Sequence, residues 1–128
     1  MTRENKIPGP DHPITVTPTA ARVVVGVNGK IIADTTAALT LQESTYPAVQ
    51  YIPLADVDPA VLKRTDTSTY CPYKGDASYY TLTLPDGDLT DSVWTYEQPY
   101  EAVAPIAGHV AFYTDRVEMV VVDEAQAE

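Results

Sequence analysis

A single cysteine, Cys71, stands in a chain of 128 residues, so no disulfide forms within it and no cysteine-rich zinc site can be assembled. Two histidines, His12 and His109, are too few for a dedicated structural zinc site, and neither a metal nor a cofactor is expected. Apolar runs extend over only a few residues, far short of the roughly 20 that cross a bilayer as a helix. No membrane partner is expected. The opening stretch MTRENKIPGPDHPITV lacks the apolar segment of a signal peptide, which makes the cytoplasm the expected compartment. Cations are scarce in the second half: residues 65–128 hold two, Lys74 and Arg116, against twelve Asp and Glu, whereas residues 1–64 carry six of each sign. All of the excess negative charge therefore lies in the second half. Such a surface repels polyanions and has no basic patch to displace the counterions of a nucleic acid, so nucleic-acid binding is not expected. Its plain role is solubility. There is no P-loop and no G-x-G-x-x-G.

What is present reads as strands. A chain of this length fits one domain and buries roughly two-thirds of its unfolded surface. RVVVGV and KIIAD flank Asn28-Gly29, the dipeptide that supplies the positive φ angles of a two-residue type I′ hairpin. Asp86-Gly87 in LTLPDGDLT predicts a second hairpin. Before it, Tyr80, Leu82 and Leu84 alternate with Tyr79, Thr81 and Thr83, the period of a half-buried strand. HVAFYT and VEMVVVD add two β-rich runs, with Val110 and Phe112 on a core face and His109, Ala111 and Tyr113 on the opposite one. Only DVDPAVLKR has helical signals: Asp58 as cap, Pro59 at the first position and a basic last turn, predicting about two turns near residues 58–64. The expected fold is one mostly β domain over 12–122 with a folded antiparallel or mixed sheet and one short helix. Residues 1–11 are expected as a flexible arm and 123–128 as a flexible tail.

The stretch TYCPYKGDASYY, Thr69–Tyr80, concentrates the unusual chemistry: the only cysteine, one of the two cations of the acidic half, and four of nine tyrosines. Pro72 at the second position of Cys71-Pro72-Tyr73-Lys74 fits a β-turn that brings the thiol and the ammonium to one rim. Seven of the tyrosines fall between Tyr70 and Tyr113, in a chain with one Phe. Half-buried sheet positions account for them structurally. Functionally, Tyr70, Tyr73, Tyr79, Trp94, Tyr96 and Tyr113 are candidates for the walls of a small-molecule pocket, with Lys74 contacting the ligand or a carboxylate such as Glu43. An enzyme using Cys71 or Lys74, with Glu43 or Asp34 as partner, is the alternative, and a purely structural or interaction domain is a third. A Ser78, His109, Asp115 triad is conceivable, but Ser78 has no nucleophile elbow. His12, beside the Pro-fixed backbone of Pro13 and Ile14, is expected to dock on the domain. The substrate, and whether the chain forms homo-oligomers, are left open.

His12-Pro13-Ile14, Ile32-Ala33-Asp34, Glu43, Tyr51-Ile52-Pro53 with Asp56-Val57, Cys71-Pro72-Tyr73-Lys74-Gly75 with Ala77-Ser78-Tyr79, Trp94-Thr95-Tyr96 and Ala111-Phe112-Tyr113 together resemble a family of small domains of unknown function, DUF427, also labelled nucleotidyltransferase-like. The resemblance runs from about His12 to Val117. It implies a compact, mostly β domain with a folded sheet or pseudobarrel and brings no established reaction. Where the family often carries an arginine after Ile52-Pro53, this chain has Leu54. The label implies clustered carboxylates holding Mg²⁺ and a Gly-Ser turn for a triphosphate. Asp56-Val57-Asp58 and Asp86-Gly87-Asp88 have the spelling, but the first reads as a helix cap and the second as a hairpin turn.

Overall fold

The computed structural model describes residues 6–122. Ten strands follow in chain order: β1 (Ile14–Pro18), β2 (Arg22–Val27), β3 (Lys30–Thr35), β4 (Leu39–Glu43), β5 (Val49–Pro53), β6 (Leu62–Cys71), β7 (Gly75–Leu82), β8 (Leu89–Thr95), β9 (His109–Phe112) and β10 (Glu118–Val122). They form a seven-stranded sheet ordered β1-β4-β5-β9-β8-β7-β6 and a three-stranded sheet ordered β10-β2-β3. Every pairing among them is antiparallel. The domain is mostly β, as expected, and both sheets are open rather than closed into a barrel.

Turn chemistry sets the hairpins. Asn28 and Gly29 have φ of 50° and 82°, the two positive angles that a type I′ turn requires, and Val27 pairs directly with Lys30. Val25 then faces Ala33 while Gly26 faces Ile31, which leaves Ile32 as the extra residue of a bulge. The β7–β8 hairpin forms as well, but its turn is one residue earlier than Asp86-Gly87. The Gly87 amide donates to the Leu84 carbonyl at 3.1 Å, so Pro85 and Asp86 occupy the centre and Gly87 leaves at a φ of 129°. Pro85 presets the φ of the second turn position and so captures the centre.

The helical segment is also shorter than its signals suggest. Asp58 caps it by accepting from the Ala60 amide at 3.0 Å, and Pro59 opens it, yet the single 3-10 turn ends at Val61. Lys63 and Arg64, read as a basic last turn, are strand residues paired with Thr81 and Tyr80. A ladder with β7 satisfies their backbone groups, which a free helix end would leave open. Two further 3-10 segments lie at Leu54–Asp56 and Glu101–Ile106. Of the arm expected over residues 1–11, residues 1–5 lie outside the described residues. The Lys6 amide donates to the Pro72 carbonyl at 2.8 Å, and Gly9 bridges to His12. The tail expected at 123–128 lies outside the described residues.

Alternation divides the large sheet into two buried faces. One face, with Ile52, Leu82, Val93, Val110 and Phe112, packs on Val23, Val25 and Ile32 of the small sheet. Residues of opposite parity, Tyr51, Ala77, Tyr79, Trp94 and Ala111, form a second cluster with Leu41, Tyr96, Val103 and Ile106. On the face of β7 and β9 that reads as polar in sequence, Thr81 and Ala111 are buried and Tyr79 is half-buried, packed with residues of β1, β4, β5 and the Glu101–Ile106 segment, while Tyr113 stays exposed. Truncating a fully buried member such as Leu82 to alanine costs about 2–5 kcal/mol.

Candidate functional site

The turn from Cys71 to Lys74 forms: the Lys74 amide donates to the Cys71 carbonyl at 3.2 Å, and Cys71 pairs with Gly75 across the ladder. Gly75 has a φ of 108°, and a Cβ there would meet the Gln98 carbonyl oxygen at 3.4 Å, so glycine is needed both for conformation and for space. The Tyr100 amide donates to the Lys74 carbonyl at 3.0 Å, pinning the turn to the segment after β8. So held, the Lys74 ammonium reaches a Glu43 carboxylate oxygen at 2.5 Å, while the other oxygen lies 2.8 Å from His12 Nε2. Glu43 faces Ile14 in the β1–β4 ladder, which explains why His12, two residues upstream, reaches it. The His12 ring is stacked on Tyr73 with centroids 4.2 Å apart and an interplanar angle of 11°. Burial pushes the Glu43 carboxyl up, but the hydrogen bonds from Lys74 and His12 together outweigh it and leave the group below its ordinary value.

Beside this chain of groups lies a cavity of about 230 Å³, walled by Tyr79, Trp94, Tyr96 and Tyr113, with Lys74 and Glu43 on its lining. Tyr46, Tyr51 and the apolar Leu41, Pro47 and Val49 complete it. Adjacent strands β7, β8 and β9 present these side chains because Tyr79, Trp94, Tyr96 and Tyr113 share one parity with Ala77 and Ala111. The Lys74 ammonium lies 5.8 Å from the centre of the Tyr96 ring, within cation–π range. Trp94 and Tyr113 lie with centroids 4.7 Å apart, and Trp94 Nε1 donates to the Tyr51 hydroxyl at 3.2 Å. Burial raises the Tyr51 phenol to about 12 and raises Tyr96 as well. Tyr113 is raised by burial, with the neighbouring Tyr79 adding to the effect.

The structure thus brings together Lys74, Glu43, Tyr79, Trp94, Tyr96 and Tyr113, with His12 and Tyr73 supporting the carboxylate from outside the cavity. Tyr70 goes elsewhere. It neighbours Cys71 on β6, whose side chain packs against the second cluster, so Tyr70 points to the opposite face and shares a 2.6 Å hydroxyl contact with Tyr100. Cys71 supports the turn and does not line the cavity. Asp34 is no partner for Lys74: the Arg22 guanidinium binds it with two hydrogen bonds of 2.9 and 2.6 Å on the exposed small sheet.

No serine triad is assembled. Ser78 bonds to Arg64 and Glu97, while the His109 ring lies 2.9 Å from the Ala107 carbonyl oxygen. Asp56 accepts from Thr35 and Asp58 is a cap. Among the described residues no group of three or more His, Cys, Asp and Glu is placed to hold a metal ion. Tyr46 and Tyr51 are the residues that sequence reasoning missed: both lie apart from the dense tyrosine run, and the pairing of β5 with β9 delivers Tyr51 together with Tyr46 of the β4–β5 loop. A wider cleft of about 490 Å³ runs along Gly75, Asp76, Ser78, Glu97, Gln98 and Tyr100, but it has one aromatic wall and two carboxylates, and its Ser78 and Glu97 are engaged with Arg64.

No helix among the described residues is long and apolar enough to cross a membrane. No curated protein matches the chain. The Cys71–Lys74 turn, Glu43 and the cavity walls fall within one family model, NTP_transf_9, described as Domain of unknown function (DUF427). It matches residues 15–123, and the chain belongs to that family.

Proposed function

We propose that this domain binds a small molecule in the aromatic cavity beside the Cys71–Lys74 turn. The observation that supports this most is a largely buried Lys74–Glu43 pair, held from outside by His12, on the lining of a cavity walled by tyrosines and the sole tryptophan. Apolar walls with a few fixed polar groups are the usual make-up of a ligand site. At about 230 Å³ the space suits a ligand on the order of one or two rings. Trp94 is the only tryptophan, so its emission reports occupancy directly. Extraction of natively purified protein, mass spectrometry of what is released, and titration of Trp94 fluorescence test the reading. It fails if nothing is released and no compound of a broad metabolite set changes the emission.

A second reading, acid–base catalysis, draws on Glu43 bridging Lys74 and His12, an arrangement that can relay a proton. Its covalent version uses Cys71, at the start of the same turn. Alkylation of Cys71 near neutral pH at a rate well above that of free cysteine supports that version, and a rate at or below it removes the thiol from consideration. The nucleotidyltransferase label asks for clustered carboxylates, which the described residues do not supply, and no step is assigned through a metal.

A further inference from the structure

The walls of the cavity carry hydrogen-bond donors that the described residues leave unpaired. An indole N–H can only donate, so the Tyr51 oxygen accepts from Trp94 and the Tyr51 proton has no acceptor among the described residues. Tyr96 is 7% exposed, and its hydroxyl has no hydrogen-bond partner among the described residues. Lys74 uses one of its N–H groups on Glu43 and has two more. The one carboxylate on the lining is already engaged, one Glu43 oxygen with Lys74 and the other with His12, and the Tyr79 hydroxyl is shared with Thr69. Burial keeps the Tyr51 and Tyr96 phenols protonated well above neutral pH, so both remain donors.

Charge narrows the choice. Lys74 and Glu43 cancel, and the same burial that resists ionisation of the two phenols resists a bare carboxylate. A ligand that strips water from these donors has to replace its acceptors or leave them unsatisfied, which is the costly outcome for a buried polar group. Resting on the cavity as the binding site, we infer that its ligand is a neutral flat ring carrying a carbonyl oxygen, which accepts from Tyr96 and from one further donor, Tyr51 or Lys74.

Four probes built on one phenyl ring test this: acetophenone, toluene, benzylamine and benzoate, titrated into ¹⁵N-labelled protein while the Trp94 indole N–H cross-peak is followed. Acetophenone is expected to shift the peak with a Kd about tenfold below those of toluene and benzylamine, the worth of one or two hydrogen bonds. Tyr96→Phe keeps the ring and removes one donor. It is expected to weaken acetophenone about fivefold and leave toluene unchanged. Toluene or benzylamine binding as tightly as acetophenone overturns the acceptor assignment while the cavity reading stands, and benzoate binding tightest overturns neutrality. If none of the four moves the Trp94 peak up to its solubility limit, the cavity reading falls and takes this inference with it.

Discussion

Lys74 and Glu43 are 31 positions apart in sequence, yet the ammonium and carboxylate lie 2.5 Å apart with each side chain only 13% exposed. The contact joins the β6–β7 turn to the end of β4, at opposite ends of the sheet order β4-β5-β9-β8-β7. An ion pair so placed has given up much of its hydration, so its worth shows mainly when one partner is removed.

Lys74→Met leaves Glu43 with His12 as its remaining side-chain partner. A loss of about 2 kcal/mol in urea unfolding is expected. Adding Glu43→Leu is expected to recover part of it, because the stranded carboxylate is gone. A single variant within about 0.3 kcal/mol of wild type shows that the pair carries no stability.

Acid sensitivity follows from the same carboxylate. The Glu43 pKa in the fold lies below its ordinary 4.5, so its contribution is complete above that value and is lost as pH falls through the lowered folded one. Wild type is therefore expected to lose stability more steeply than Glu43→Gln on acidification below about pH 5. Parallel pH profiles for the two proteins refute this.

Two glycines separate conformational strain from steric conflict. Gly29 has a φ of 82° with nothing near its missing Cβ, so Gly29→Ala is expected to cost about 1 kcal/mol with ligand binding unchanged. Gly75 has a φ of 108° and faces the Gln98 carbonyl. Gly75→Ala is expected to cost about 2 kcal/mol and, by moving the Lys74 turn, to weaken binding. Thermal unfolding and Trp94 titrations of both variants decide it, and equal binding by the two is the contrary result.

Tyr51→Phe and Tyr96→Phe remove one oxygen each with unequal consequences for stability. The first strands the Trp94 indole N–H, for an expected cost of about 1 kcal/mol, whereas the second removes a hydroxyl without a partner among the described residues and is expected to change stability by less than about 0.5 kcal/mol. Chemical denaturation of the two proteins side by side gives the comparison, and equal losses count against the assigned hydrogen bond.

Local chemistry made the turns legible from sequence. Asn28-Gly29 takes positive φ because those side chains tolerate it, and Pro72 and Gly75 shape the β6–β7 turn through constraints held within five residues. Pro85 sits in the same category, although the Asp86-Gly87 signal beside it drew attention one position too far along. Strand alternation was equally readable, since parity needs no partner. The basic end of DVDPAVLKR misled because helix and strand compete for the same residues, and β7 supplied a ladder that nothing local announces.

Which face meets which neighbour is a different matter. Tyr79, Thr81 and Tyr113 carry hydroxyls and read as a wet face, but residues of β1, β4 and β5 from the same sheet cluster with Tyr79 while Tyr113 stays exposed at the rim, and the aromatic cavity exists only in that packing. Tyr70 left the cluster by parity with Cys71, and Tyr46 and Tyr51 joined it through strand order. Turn type and strand period arise from interactions between residues a few positions apart, so the amino-acid sequence alone decided them. The Lys74–Glu43–His12 chain and the aromatic cavity arise from contacts across tens of residues, and only the tertiary fold of the seven-stranded sheet brought those groups within hydrogen-bonding reach.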